Sequence, residues 1–81
     1  MDNMEIKNLL EFIAQSLVDE PEAVSVNLIE GEKFIVLELK VSEDDMGKII
    51  GKGGRIANAI RTILKAAGVK MNKRISVEII Q

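Results

Sequence analysis

The sequence predicts a single α+β domain: a three-stranded sheet with its helices on one face, in the order α-β-β-α-α-β. Three observations point there. The 81 residues suffice for one domain and not comfortably for two. Apolar residues recur at helical spacing near the start and alternate in three later segments. No linker, repeat or low-complexity stretch interrupts residues 1–81.

The first helix is carried by Ile6, Leu9, Leu10, Ile13, Ala14 and Leu17, which follow the i, i+3, i+4, i+7 pattern. Asp2 or Asn3 can cap its start. Pro21 ends it, because proline disfavours helical geometry in the residue before it. Residues 23–30 alternate, with Val24, Val26 and Leu28 on one face. Residues 33–41 are β-branched and apolar, and Leu37, Leu39 and Val41 share a face. Glu30-Gly31-Glu32 joins them as the turn of a hairpin.

Ser42-Glu43-Asp44-Asp45 reads as a capping box, with Ser42 as N-cap and Asp45 at the third helical position. The short helix it starts, from about 43 to 50, would turn Met46, Ile49 and Ile50 inward. A second helix of this pair runs from about Arg55 to Ala67, closed by Gly68. Residues 74–80, RISVEII, alternate again and form the last strand.

Between the two later helices lies Ile50-Gly51-Lys52-Gly53-Gly54-Arg55-Ile56. A sharp helix–turn–helix needs one or two glycines; this loop has three in four residues. Glycine supplies unusual dihedrals and leaves nothing between backbone and ligand. Successive amides and the start of the next helix then form an anion site. Lys52 and Arg55 add full charges. Nucleotide motifs do not fit. The P-loop spacing is one residue short and no Ser or Thr follows Lys52, while Ile56 stands where a dinucleotide fingerprint needs its third glycine.

Charge is segregated along the chain. Residues 1–45 carry 12 acids and 3 bases; residues 46–81 carry 8 bases and 1 acid. A net charge of −2 therefore conceals a basic half suited to an anionic partner. The absence of cysteine and histidine excludes disulfides, thiolate or imidazole metal sites and triad chemistry. Asp19, Glu20 and Glu22 read as a helix end with its loop. Glu43, Asp44 and Asp45 read as a first helical turn, where carboxylates suit the dipole. The expectation is a protein without enzymatic activity, cofactor or metal. The acidic N-terminus does not read as a signal peptide, and no apolar run approaches the roughly 20 residues of a membrane span, so a cytoplasmic protein is expected.

Ile49-Ile50-Gly51-Lys52-Gly53-Gly54-Arg55-Ile56, flanked by helices within a small α+β domain, resembles the KH domain. The helix and two strands before the GXXG and the single strand after it resemble the type II, bacterial arrangement. The likeness covers essentially the whole chain, which looks similar to the KhpA family of bacterial RNA-binding proteins. It implies single-stranded RNA as partner. The loop would clamp the backbone of about four nucleotides, with Gly51, Lys52, Gly53 and Gly54 at the phosphates. Ile49, Ile50 and Ile56 are the matching aliphatics beside a shallow groove for bases. Ile50 is read as core; Ile49 and Ile56 stay open. Lys48, Lys52, Arg55, Arg61 and Lys65 would form a basic track, with a solvated helix surface as the equal alternative for Arg61 and Lys65. The two aromatics, Phe12 and Phe34, lie outside the basic segment, so aliphatic contacts are expected in place of stacking.

The resemblance further implies a role as post-transcriptional regulator or RNA chaperone, self-association, and pairing with a KhpB-like KH protein. A domain this small is marginal alone. The helix from Arg55 has more apolar residues than one buried stripe requires, which predicts a dimer interface around Ile60 and Leu64. The competing reading is a protein-interaction module in which RNA is secondary.

Overall fold

The computed structural model describes residues 1–81. Helix α1 (Asn3–Leu17) leads into strands β1 (Ser25–Glu30) and β2 (Phe34–Lys40). Helices α2 (Met46–Ile50) and α3 (Arg55–Met71) follow, and β3 (Arg74–Ile80) ends the fold. The order is the expected α-β-β-α-α-β. Short 3-10 turns at Pro21–Ala23, Glu43–Asp45 and Lys52–Gly54 bend the connections. No helix is long and apolar enough to cross a membrane.

The sheet runs β1-β2-β3, with β1 and β2 antiparallel and β2 and β3 parallel. A parallel neighbour needs a long crossover, and α2 with α3 supplies it. Register puts Val26 beside Leu39, Leu28 beside Leu37, Ile35 beside Ile75 and Leu37 beside Val77. Side chains alternate across a strand, so these residues share one face. Ile6, Leu10 and Ala14 of α1, Ile49 of α2, and Ile60 and Leu64 of α3 cover it. Burying each of the leucine and isoleucine side chains contributes about 1.5–3 kcal/mol. The other face carries Ser25, Asn27, Lys40, Arg74, Ser76 and Glu78 toward solvent.

Asp2, one of the two expected caps, starts α1 in a full capping box with Glu5. Three local expectations change. Helix α1 ends at Leu17, before Pro21 acts; the proline opens the next turn instead. Ser42 makes no side-chain cap. The Asp45 carboxylate instead accepts the Asp19 and Glu20 amides at 3.2 and 3.0 Å, tying the end of α1 to the start of α2. Gly68 does not end α3. It lies inside the helix, where a Cβ would meet Lys73 O at 2.6 Å, so it permits close packing on the start of β3. The helix stops at Asn72, in left-handed geometry, with its amide and that of Lys73 turned back to Val69 O and Gly68 O.

Candidate nucleic-acid interface

The GXXG segment forms the tight corner between α2 and α3. Gly51, Gly53 and Gly54 have φ of 75°, 64° and 78°. Gly51 pairs its φ with ψ 170°, a region open in practice only to glycine. A Cβ there would also stand 2.6 Å from Ile56 Cγ1 and 2.9 Å from the Ile56 amide nitrogen. This glycine lets the two helices meet. A Cβ at Gly53 would meet nothing within 4 Å, so this position faces open solvent.

Backbone bonding shows which amides remain. Gly51 N–H donates to Gly47 O, Gly54 N–H to Gly51 O, and Arg55 N–H to Lys52 O. Lys52 and Gly53 open this 3-10 turn, so their amides have no carbonyl partner within it. They sit beside the exposed Lys52 side chain and the first turn of α3. Two such donors, a helix N-terminus and an unpaired ammonium favour an anion at this corner.

The remaining site residues divide. Arg55 is exposed at the start of α3, and Ile56 is half-buried against Gly51. Arg61 reaches across to β3, its Nε donating to Val77 O at 3.3 Å. Arg61 and Lys65 share a cleft of about 390 Å³ with Ile75, Ser76, Val77 and Glu78. This groove lies between α3 and the unpaired edge of β3. Asn58, beside Gly54, continues the same flank toward the loop.

Lys48 is occupied. Its Nζ lies 3.1 Å from Asp19 and 3.5 Å from Asp45, and the hydrogen bond and charge of Asp19 chiefly raise its pKa. Asp45 is only 1% exposed. Burial pushes its carboxyl up, but the Asp19 and Glu20 amides and the Lys48 ammonium outweigh this and hold it below its ordinary value. Lys48 thus braces α2 against the segment that follows α1.

The two neighbouring isoleucines separate. Ile49 is wholly buried in the core, while Ile50 is 39% exposed beside the loop. Ile49 therefore has no surface for a ligand, and Ile50, expected in the core, has one. Five residues of helix offer too little periodicity to separate neighbours. Ile60 and Leu64, the predicted dimer contacts, are 3% and 0% exposed and belong to the core. The apolar residues α3 does expose include Ala59, Ile63 and Ala66.

The chain matches the family model "KhpA/KhpB, KH domain" over residues 7–79. It is 64% identical over 75 residues to a protein of Clostridium perfringens named RNA-binding protein KhpA, covering 93% of this chain and all of the relative. A protein of Aquifex aeolicus with the same name is 50% identical over 76 residues, covering 94% and 96%. Among solved structures, Aquifex aeolicus Era bound to GDP and aluminium fluoride shares the fold, with a TM-score of 0.62 at 21% identity. That likeness spans 93% of this chain and 29% of Era. Glycine corner, sheet order and near-full-length identity agree: the chain belongs to the KhpA/KhpB KH-domain family.

Proposed function

We propose that this chain binds single-stranded RNA, gripping the phosphate backbone at Gly51–Gly54 and laying bases along the groove between α3 and β3. The observation that carries the reading is the loop corner. Its two amides without a partner in the 3-10 turn lie beside an unpaired lysine, and no acid occurs between Met46 and Val77. Relatives named as RNA-binding proteins support the same reading. Lys52, Arg55 and Arg61 supply charge, and Ile50 and Ile56 supply aliphatic surface. A clamp of about four nucleotides with few base contacts grips weakly and reads little sequence. That suits an RNA chaperone or a post-transcriptional regulator in the cytoplasm.

The test is fluorescence anisotropy with short unstructured RNAs, comparing wild type with Lys52→Asp/Gly53→Asp. Left-handed backbone tolerates aspartate better than most residues, and Gly53 has open space around it, so this variant should fold. Wild type should bind with a log–log salt slope of roughly −0.7 per phosphate contact, and the variant should lose at least tenfold in affinity. Equal binding by both proteins would remove the loop from the site.

A second reading is association with another copy or a KhpB-like KH protein. It is favoured by Ile63, 48% exposed on α3 between exposed Ala59 and Ala66. These residues lie at i, i+4 and i+7, on a different flank from Arg61 and Lys65. Ile63→Glu should lower the mass measured by light scattering without unfolding the chain. An unchanged mass above that of a monomer would move the interface elsewhere, and a monomeric wild type would remove self-association. Substituting Ile60 or Leu64 would damage the core instead.

A further inference from the structure

The opposite end of α3 holds a second cationic surface, assembled from three parts of the chain. Lys33 and Phe34 come from the hairpin and the start of β2. Val69 and Asn72 come from the end of α3, and Lys73 and Arg74 lead into β3. Together they line an open cleft of about 600 Å³. Parallel pairing sets Phe34 beside Arg74, and the Arg74 amide donates to Lys33 O at 2.9 Å. The aromatic that the sequence separates from the basic segment is thus brought next to it.

The groups here are not equivalent. Lys73 binds Glu30 at 2.6 Å and is 20% exposed, so it is a structural tie. Lys33 and Arg74 are exposed and have no carboxylate within 4 Å. Glu32, in the same turn, makes no ion pair either. Cations beside a helix C-terminus can serve the dipole, but Lys33 comes from a distant element with no such need. Phe34 is 47% exposed, and its ring is seated on the turn, since a Cβ at Gly31 would fall inside it. A preset aromatic face lining one cleft with two free cations suits an unpaired nucleotide: base on the ring, phosphate on the charges.

The two ends are connected. Asn58, Arg61, Lys65, Val69 and Asn72 recur at i+3 and i+4 spacing along one flank of α3. Arg61 and Lys65 line the middle cleft with Ile75–Glu78, while Val69 and Asn72 line the end cleft with Arg74. The 17 residues of α3 span roughly 25 Å at about 1.5 Å each. At about 3.4 Å per stacked nucleotide that is on the order of seven nucleotides.

We propose that Lys33, Phe34 and Arg74 form a second contact for the same RNA strand, reached along the groove from the glycine corner. This rests on the loop reading above. A four-nucleotide RNA fills the loop alone; a twelve-nucleotide RNA reaches both ends.

The experiment compares 4-mer and 12-mer unstructured RNAs across a salt series. The proteins are wild type, Lys52→Asp/Gly53→Asp, Lys33→Gln/Arg74→Gln and Phe34→Leu, each checked for folding. Amide NMR shifts at Gly53 and Asn72 report the two ends separately. On wild type, the 4-mer should move Gly53 and leave Asn72 still, and the 12-mer should move both. The glutamine variant should bind the 4-mer like wild type. It should bind the 12-mer about tenfold more weakly, with a salt slope shallower by about 1.4, two phosphates' worth. Phe34→Leu should weaken the 12-mer severalfold with an unchanged slope.

If the glutamine variant binds the 12-mer with wild-type affinity and slope, the second contact is refuted while the loop reading stands on its own variant. If the loop variant binds both RNAs normally and the glutamine variant loses the 12-mer, the loop reading falls and with it the shared strand, leaving Lys33, Phe34 and Arg74 as a separate RNA site. No binding by wild type overturns both.

Discussion

The two ends of α3 are built on opposite principles. At the start, backbone makes the surface: glycines hold positive φ, the first amides of the turn have no partner within it, and side chains are removed so a ligand can come close. At the end, backbone is closed. Asn72 completes the helix, its amide and that of Lys73 turn back to α3 carbonyls, and side chains from separate elements make the surface. A backbone site tolerates little substitution because its geometry is the ligand's. A side-chain site should lose contributions one residue at a time.

That contrast can be broken most severely at Gly51. Gly51→Ala places a methyl against Ile56 and forces a glycine-only dihedral. Overpacking and backbone strain each cost about 1–3 kcal/mol, so a loss of about 2–6 kcal/mol is expected in urea melts. Gly53→Ala, in open space and ordinary left-handed geometry, should cost only about 1–2 kcal/mol. Equal costs at both positions would mean that the Gly51–Ile56 contact does not hold the corner.

A pair of lysines four residues apart sharpens it next. Lys52→Gln should reduce RNA affinity severalfold and the salt slope by roughly 0.7, with the melting temperature unchanged. Lys48→Gln should do the reverse, because its ammonium is spent on Asp19 and Asp45. Anisotropy and thermal melts on both variants decide this. A loss of RNA affinity from Lys48→Gln would return that residue to the track.

Acid should loosen the corner through Asp45. Its folded pKa lies below the ordinary 3.8, so its stabilisation is present above that value and lost as pH falls through the folded pKa. Wild type should melt higher than Asp45→Asn at pH 6, and the gap should narrow as pH drops below 3.8. A gap that stays constant with pH would mean the charge of Asp45 is not what secures α1 to α2. Glu30, also held below its ordinary value by its hydrogen bond to Lys73, is exposed and should contribute little. The smallest effect belongs to Asn72→Gly. Glycine suits the same left-handed cap, and melts should shift stability by no more than about 0.5 kcal/mol.

Much of this is readable before folding. Element order, β3 at residues 74–80 and the positive-φ corner follow from short-range pattern: alternation, helical spacing and glycine clustering. Other features need the third dimension. Asp45 has the position of a local cap, yet its partners are 25 and 26 residues away. Lys48 has the position of a basic-track residue, yet Asp19 comes beside it. Gly68 has the position of a helix stop, but a strand further along the chain sets its role.

By itself the sequence determined the domain's class, its order of elements and the site of its glycine corner, because these depend on residues a few positions apart. Only the tertiary structure decided which isoleucine of Ile49 and Ile50 is buried, which lysines are free, and that Phe34 meets Arg74. Those outcomes depend on packing and strand pairing between distant segments. Pairing across the sheet is set by the α2–α3 crossover as a whole, and no local window of residues contains it.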